Sequence, residues 1–222
     1  MHGVTSSKFS PDVLLVGGML YNEGFNYLTF DFRDHGMSTC EDSRHSAGQK
    51  EIYDVKASIE WLKNEKNIPS SNIGLYGASF GAMIGLMTPA ITNDFQALAV
   101  VDSPFDFASL VREELVYQGF PGFLFEPVYH YALIFDQINL TEISPDDGLA
   151  ASNKQPLVIF NGRKSPRVLA HHTDDLIEAA ANYGISTEVS RYENLSHTEV
   201  MYAYPDEFEL KLVNFFRNNI NE

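Results

Sequence analysis

Four short runs of this chain are almost continuously apolar, and longer stretches of helical period separate them. "NYLTFDF" (26–32), "NIGLYG" (72–77), "QALAVVD" (96–102) and "QPLVIFNG" (155–162) read as strands, with the more polar "STEVSRYE" (186–193) as a fifth. Runs without polar alternation suit strands covered by helices on both faces, as in a parallel sheet. In the segment after the first run, Ser46 and Gln49 have the spacing of a capping box. Ile52, Val55, Ile59 and Leu62 then fall on one helical face, and Pro69 closes the segment. Ser10-Pro11 opens a helix through about Glu23, although Gly17 and Gly18 weaken it and "VLLV" also reads as a strand. A third helix is expected from about His171 to Gly184. A fourth starts at Pro205, with Phe208, Leu212, Phe215 and Phe216 on one side. Strand and helix in alternation predict an α/β fold built on a mostly parallel sheet flanked by helices.

Between about residues 106 and 150 the alternation breaks down. This stretch is rich in Phe, Tyr and Pro and has no clean period. It reads as a short aromatic cap insertion within a single domain spanning 1–222, and no internal repeat is present. Thirty acidic against fifteen basic residues give a formal charge of −15. That balance disfavours nucleic acid and anionic membrane as partners, since both require a basic surface. Cys40 is the sole cysteine, so no internal disulfide forms, and a reducing, cytoplasmic setting is expected. No run reaches the roughly 18 apolar residues of a membrane span, and no signal peptide is recognisable.

"GASFG" (77–81) stands between a strand and the small, apolar "AMIGLM". That is the setting of a G-x-S-x-G nucleophile elbow, in which a strained turn lifts the serine hydroxyl above the sheet. Ser79 is therefore the candidate nucleophile, and the Phe80 N–H, at the positive end of the following helix, is a candidate oxyanion donor. A side chain at 77 or 81 is expected to collide with the neighbouring helix or strand. Among seven histidines, His197 in "ENLSHTEV" follows the last strand and precedes the last helix, which makes it the candidate base. His171 and His172 suggest a metal site only superficially, because adjacent helical residues diverge by about 100°. Asp174 and Asp175 are expected in the first turn of their helix, where acids favour the dipole.

Together these segments resemble the α/β-hydrolase superfamily, in particular its small esterase, lipase and serine-aminopeptidase-like branches. The resemblance includes "HG" at 2–3, "FDFRDHGMS" at 30–38, the helix with Glu51 and Asp54, "GASFG", "DSPF" at 102–105, "FNGRKSPRV" and "SHTEV". It implies a serine hydrolase acting on the acyl group of a small molecule (an ester, thioester or small amide). Ser79 would attack, His197 would move the proton, and the N–H groups of Phe80 and Val4 would form the oxyanion hole. It implies no metal and no other cofactor. Oligomeric state and acyl specificity stay open.

The chain departs from the family pattern in three places. Asp34 replaces the first glycine of D-x-R-G-H-G-x-S, which is expected to be a harmless loop change. Ser165 stands where relatives carry the triad acid, so the imidazole lacks its usual carboxylate. Asp102 is a possible substitute acid, but a structural role is expected for it. The alternative function is therefore a catalytically impaired pseudo-hydrolase with a binding role. Finally, Met1-His2-Gly3-Val4 falls where the third strand of relatives ends. We therefore expect N-terminal strands to be missing and the reading frame to continue upstream, the alternative being a minimal hydrolase whose remaining strands close ranks.

Overall fold

In the computed structural model, which describes residues 1–41, 43–137 and 139–221, four parallel strands form one sheet in the order β1-β2-β3-β4. These are β1 Gly74–Ala78, β2 Ala97–Val101, β3 Leu157–Gly162 and β4 Thr187–Tyr192. The helices are α1 Pro11–Asn22, α2 Glu51–Lys66, α3 Phe80–Met87, α4 Phe107–Tyr117, α5 Phe125–Tyr131 and α6 Pro145–Ala151. They continue with α7 Ala170–Asn182, α8 Val200–Ala203 and α9 Pro205–Asn219. The register pairs Gly74 with Ala97, Leu98 with Leu157, and Leu157 with Thr187.

Strand alternation sends the apolar residues of β2 and β3 to opposite faces. Leu98, Val100, Leu157 and Ile159 pack with Ile52, Val55 and Ile59 of α2, Ile84 and Leu86 of α3, and Leu176 of α7. Ala99, Val101, Val158 and Phe160 pack on the other side with Val16 and Leu20 of α1 and with Phe208, Leu212 and Phe215 of α9. A sheet covered on both faces explains why its strands read as continuous apolar runs. Each fully buried Leu, Ile or Phe contributes about 1.5–3 kcal/mol to this two-sided core. The β2–β3 excursion carries α4, α5, a π-helical turn at Ala132–Asp136 and α6. Ile138, inside the expected cap, lies outside the described residues.

The strand expected at 26–32 is absent: these residues run without a ladder partner among the described residues. A strand exists only through its neighbour's backbone, and here the Phe32 N–H donates to the His2 imidazole Nε2 instead, at 3.1 Å. Beside β1, the Met1 α-amino group donates to Tyr76 O at 2.7 Å and Ala78 N–H donates to Met1 O at 3.4 Å. Burial lowers the pKa of that amine to about 5.

The expected capping box also takes a different form. The Gln49 amide reaches across to the carbonyls of Leu140 and Ile143, and the buried Glu51 carboxylate instead accepts from Ser46 N, Ser46 Oγ and Gly48 N. Asp34 proves compatible with its turn. It holds a left-handed φ of 59°, and its Oδ1 accepts from Glu41 N at 2.6 Å and Ser43 N at 2.9 Å.

The expected weak points of α1 are unequal. The Tyr27 ring lies where a Gly17 side chain would stand, whereas nothing lies within 4 Å of one built at Gly18. Gly18→Ala should therefore raise stability by about 0.5–1 kcal/mol through helix propensity alone. Gly17→Ala should lower it by about 1–3 kcal/mol, because Tyr27, whose hydroxyl donates to Val13 O, must give way. Urea titration of both variants checks the contrast, and equal effects would contradict this packing.

Candidate active site

The turn between β1 and α3 places Ser79 at φ 54° and ψ −120°, a conformation that L-residues rarely hold. Two glycines permit it. A side chain at Gly77 would strike the Gly81 carbonyl, and one at Gly81 would lie 2.5 Å from Met1 O and 2.6 Å from His2 O. The strained turn is pinned on both sides. Ser79 N–H donates to Val101 O at 2.8 Å, and Ser79 O accepts the first N–H groups of α3, from Ala82 and Met83. The Phe80 N–H at the start of α3 has no acceptor among the described residues, and neither has that of Val4. The 3–4 turn lies against the serine: a Cβ built on Gly3 would be 3.7 Å from Ser79 Cβ.

His197 comes from the loop after β4. Its Nε2 lies 2.9 Å from Ser79 Oγ, and its Nδ1 lies 3.2 Å from Ser165 Oγ. If the Ser79 hydroxyl donates to Nε2, then Nδ1 carries the proton and donates to Ser165. Ser165 Oγ also accepts the Val168 N–H at 3.0 Å, so its two lone pairs are both used. Burial and, to a lesser extent, the Arg167 cation lower the His197 pKa to about 4, against an opposing effect of Glu114. The ring is therefore neutral at pH 7.

Asp102 makes no hydrogen bond to this imidazole. Its carboxylate accepts from Asn161 Nδ2 at 3.0 Å, Gly162 N at 2.8 Å and Thr198 N at 2.6 Å. Burial pushes it up to about 6 against the effect of those three donors. The sequence thus placed Ser79, His197 and Ser165 in one constellation, which the fold brings together. It carried no signal for Val168 as a partner of Ser165.

Two expectations about α7 fail. His171 and His172 do not diverge: their rings lie with centroids 4.3 Å apart, tilted by 30°, and both face Glu113 of α4. They occupy the first turn, where both side chains lean toward the same neighbouring helix. Hydrogen bonds fix the tautomer of His172 in this cluster. His172 Nδ1 accepts from Phe105 N at 3.2 Å and Asp106 N at 3.4 Å, so its Nε2 carries the hydrogen that Glu113 receives. A cation at that nitrogen would require the opposite tautomer. Asp174 and Asp175 lie beyond the first turn. Asp174 pairs with Arg163 and Arg191, and Asp175 faces His171.

Comparison with known proteins fits this geometry. The model of the prolyl oligopeptidase family matches residues 17–222. The chain belongs to that family. It is accordingly a hydrolase of the α/β-hydrolase superfamily, and its fold agrees with solved structures. The Pyrococcus furiosus esterase Pf2001 superposes with a TM-score of 0.78 at 24% identity, covering 100% of this chain and 82% of the esterase. The α/β hydrolase GrgF from Penicillium gives 0.75 at 12% identity, covering 99% of this chain and 88% of the other. The acylaminoacyl peptidase of Pyrococcus horikoshii gives 0.57 at 15% identity, covering 78% of this chain and 28% of the peptidase. No curated protein matches the sequence. Among the described residues, no helix of this prolyl oligopeptidase family member is long and apolar enough to cross a membrane.

His171 ties α7 to α4 through Glu113 at 2.6 Å, and within α7 it also meets Asp175 at 3.1 Å. Burial lowers its pKa, but the two carboxylates outweigh that and raise it above its ordinary value. A raised imidazole pKa means that the stabilisation is fully present below about pH 6.5 and fades as pH climbs through the folded value. Stability measured by denaturant between pH 6 and 9 should therefore fall more gently in His171→Gln than in wild type. Identical slopes would show that the clamp holds no charge.

Proposed function

We propose that this chain is a serine hydrolase that cleaves an ester, thioester or small amide through an acyl-enzyme on Ser79. The observation that carries the proposal is the 2.9 Å contact between His197 Nε2 and Ser79 Oγ, with Ser79 held in the strained elbow. As Ser79 Oγ attacks the acyl carbon, its proton passes to Nε2 and the carbonyl electrons move onto oxygen. The unpaired N–H groups of Phe80 and Val4 are suited to receive that oxyanion. Collapse of the tetrahedral species expels the leaving group, which takes the proton from Nε2. Water, deprotonated by the same nitrogen, then releases the acid and restores Ser79. The ester- and peptide-cleaving neighbours are compatible with this chemistry.

Ser165 sets the expected rate. A neutral hydroxyl orients the Nδ1 hydrogen but offers no charge to the imidazolium formed during attack. In a serine protease, replacing the acid with a neutral residue costs roughly 10⁴ in kcat. The same contact supports the second reading, an impaired pseudo-hydrolase retaining a binding role, and labelling distinguishes the two. A fluorophosphonate probe should modify wild type covalently and leave Ser79→Ala untouched. Equal labelling of the two proteins would remove Ser79 as nucleophile, and no labelling of either would favour the pseudo-hydrolase.

A grafted acid should recover the missing charge. Ser165→Asp is expected to raise kcat on a short activated ester by between about tenfold and the roughly 10⁴-fold cost of losing the acid. The gain should appear mainly in kcat, since the interaction strengthens as the imidazolium forms. The acid limb of kcat/KM, near pH 4 in wild type from the depressed imidazole, should move to higher pH in the variant. An unchanged kcat and limb would show that Ser165 does not stand in for an acid.

A further inference from the structure

Asp102 does not face the imidazole, and the structural role expected of it takes a specific form. It is 1% exposed and holds a left-handed φ of 46°, an uncommon conformation for a residue other than glycine. Its two oxygens divide between two loops. Oδ1 accepts from Asn161 Nδ2 and Gly162 N, where β3 leaves the sheet toward Ser165. Oδ2 accepts from Thr198 N, the residue next to His197. Its own N–H donates to Phe160 O at 2.9 Å, while the preceding Val101 O holds the Ser79 N–H. One short segment, 101–102, thus holds the backbone of Ser79, of Thr198 beside His197, and of Gly162 at the start of the loop that carries Ser165.

Two further observations show that the surroundings are arranged for this carboxylate. Thr198 sits at φ 55°, a strained conformation for a β-branched residue, and the 2.6 Å bond from its N–H to Asp102 holds that N–H in place. The Asn161 side chain is fully buried; its nitrogen donates to Asp102, and its oxygen has no hydrogen-bond partner among the described residues. A buried amide that leaves its own oxygen unsatisfied has its orientation set by the acceptor opposite.

We propose that Asp102 is a positioning residue that fixes His197 against Ser79 through the Thr198 backbone, and that it is not the acid of the triad. The proposal rests on Ser79 and His197 being the reacting pair. With Asn at 102, one amide group must face N–H donors that the carboxylate accepted, either at Thr198 or at Gly162. The histidine loop then shifts, and a displacement of about 1 Å at a reacting group costs on the order of 10²-fold.

The test is a cycle of Asp102→Asn and Ser165→Asp on one activated ester, with Ser79→Ala as control. Asp102→Asn should lower kcat by roughly 10- to 100-fold, with KM within about twofold of wild type. Asp102→Asn should lower kcat by the same factor in the Ser165→Asp background, because a new acid cannot correct a displaced ring. If Ser165→Asp instead hides the loss, Asp102 supplies the charge itself and the proposal is wrong. If Asp102→Asn keeps wild-type kcat, it is also wrong. Activity surviving in Ser79→Ala would overturn the serine-hydrolase reading rather than this one. Should Asp102→Asn not fold, Asn161→Leu keeps the carboxylate but removes one donor that orients it. It is then expected to lose at least about fivefold in kcat at constant KM, and an unchanged kcat would count against the proposal.

Discussion

Hydrogen bonds between the carboxyl ends of neighbouring strands make the floor on which the site stands. Ser79 N–H is held by Val101 O, Asp102 N–H by Phe160 O, and Arg163 N–H by Tyr192 O. Each loop leaves its strand in a direction fixed by the next strand, so Ser79, the Ser165 loop and the histidine loop share one register. A parallel sheet buried on both faces resists slippage, because a one-residue slip would exchange the residues of its two apolar faces. Precision at Ser79 therefore comes from the core as much as from the elbow.

Burial, more than the charges around it, lowers the pKa of the His197 imidazole. Among the described residues the partner of its Nδ1 is the neutral Ser165 hydroxyl, and Arg167 adds a cation nearby. Arg167 is itself paired with Glu114 of α4 at 2.6 Å, and the adjacent Glu113 meets the two histidines of α7. Two consecutive glutamates thus join the docking of α4 to the surroundings of the imidazole. Whatever keeps α4 seated also keeps Glu114 on Arg167 and moderates the positive field at the imidazole. The ion pair with Arg167 is exposed and contributes little to stability by itself. Its effect is on the charge that His197 experiences.

Much of this was legible in the sequence. The apolar runs at 72–77, 96–102 and 155–162 marked buried strands, and the glycines around Ser79 marked a turn that tolerates no side chain. His197 was found from its place after the last strand, which depends on chain order and not on detail. The misses share a physical cause: each required knowing what stands across from a residue. The run at 26–32 has the composition of a strand, but a ladder needs a partner backbone, and Phe32 bonds a histidine instead. Gln49 was spaced for a local cap, yet its amide crosses to 140 and 143. His171 and His172 converge because α4 supplies a shared carboxylate, which helical spacing could not reveal.

Asp102 illustrates how a site and a core can favour opposite conditions. Its carboxyl is raised from 3.8 to about 6, so the folded state binds a proton that the unfolded chain has already released between those values. Stability from this group is therefore greatest below about pH 4 and declines as pH rises to about 6, a loss on the order of 3 kcal/mol. Above pH 6 the buried group is ionised at that cost. The ionised form is nevertheless the one that can accept from Thr198, Gly162 and Asn161 together, whereas a protonated carboxyl presents a hydrogen to one of those donors. An apolar residue at 102 would remove the burial cost of the charge and leave the three N–H groups without acceptors. A carboxylate here is thus accounted for by the loops it joins, not by the stability of the sheet beneath it.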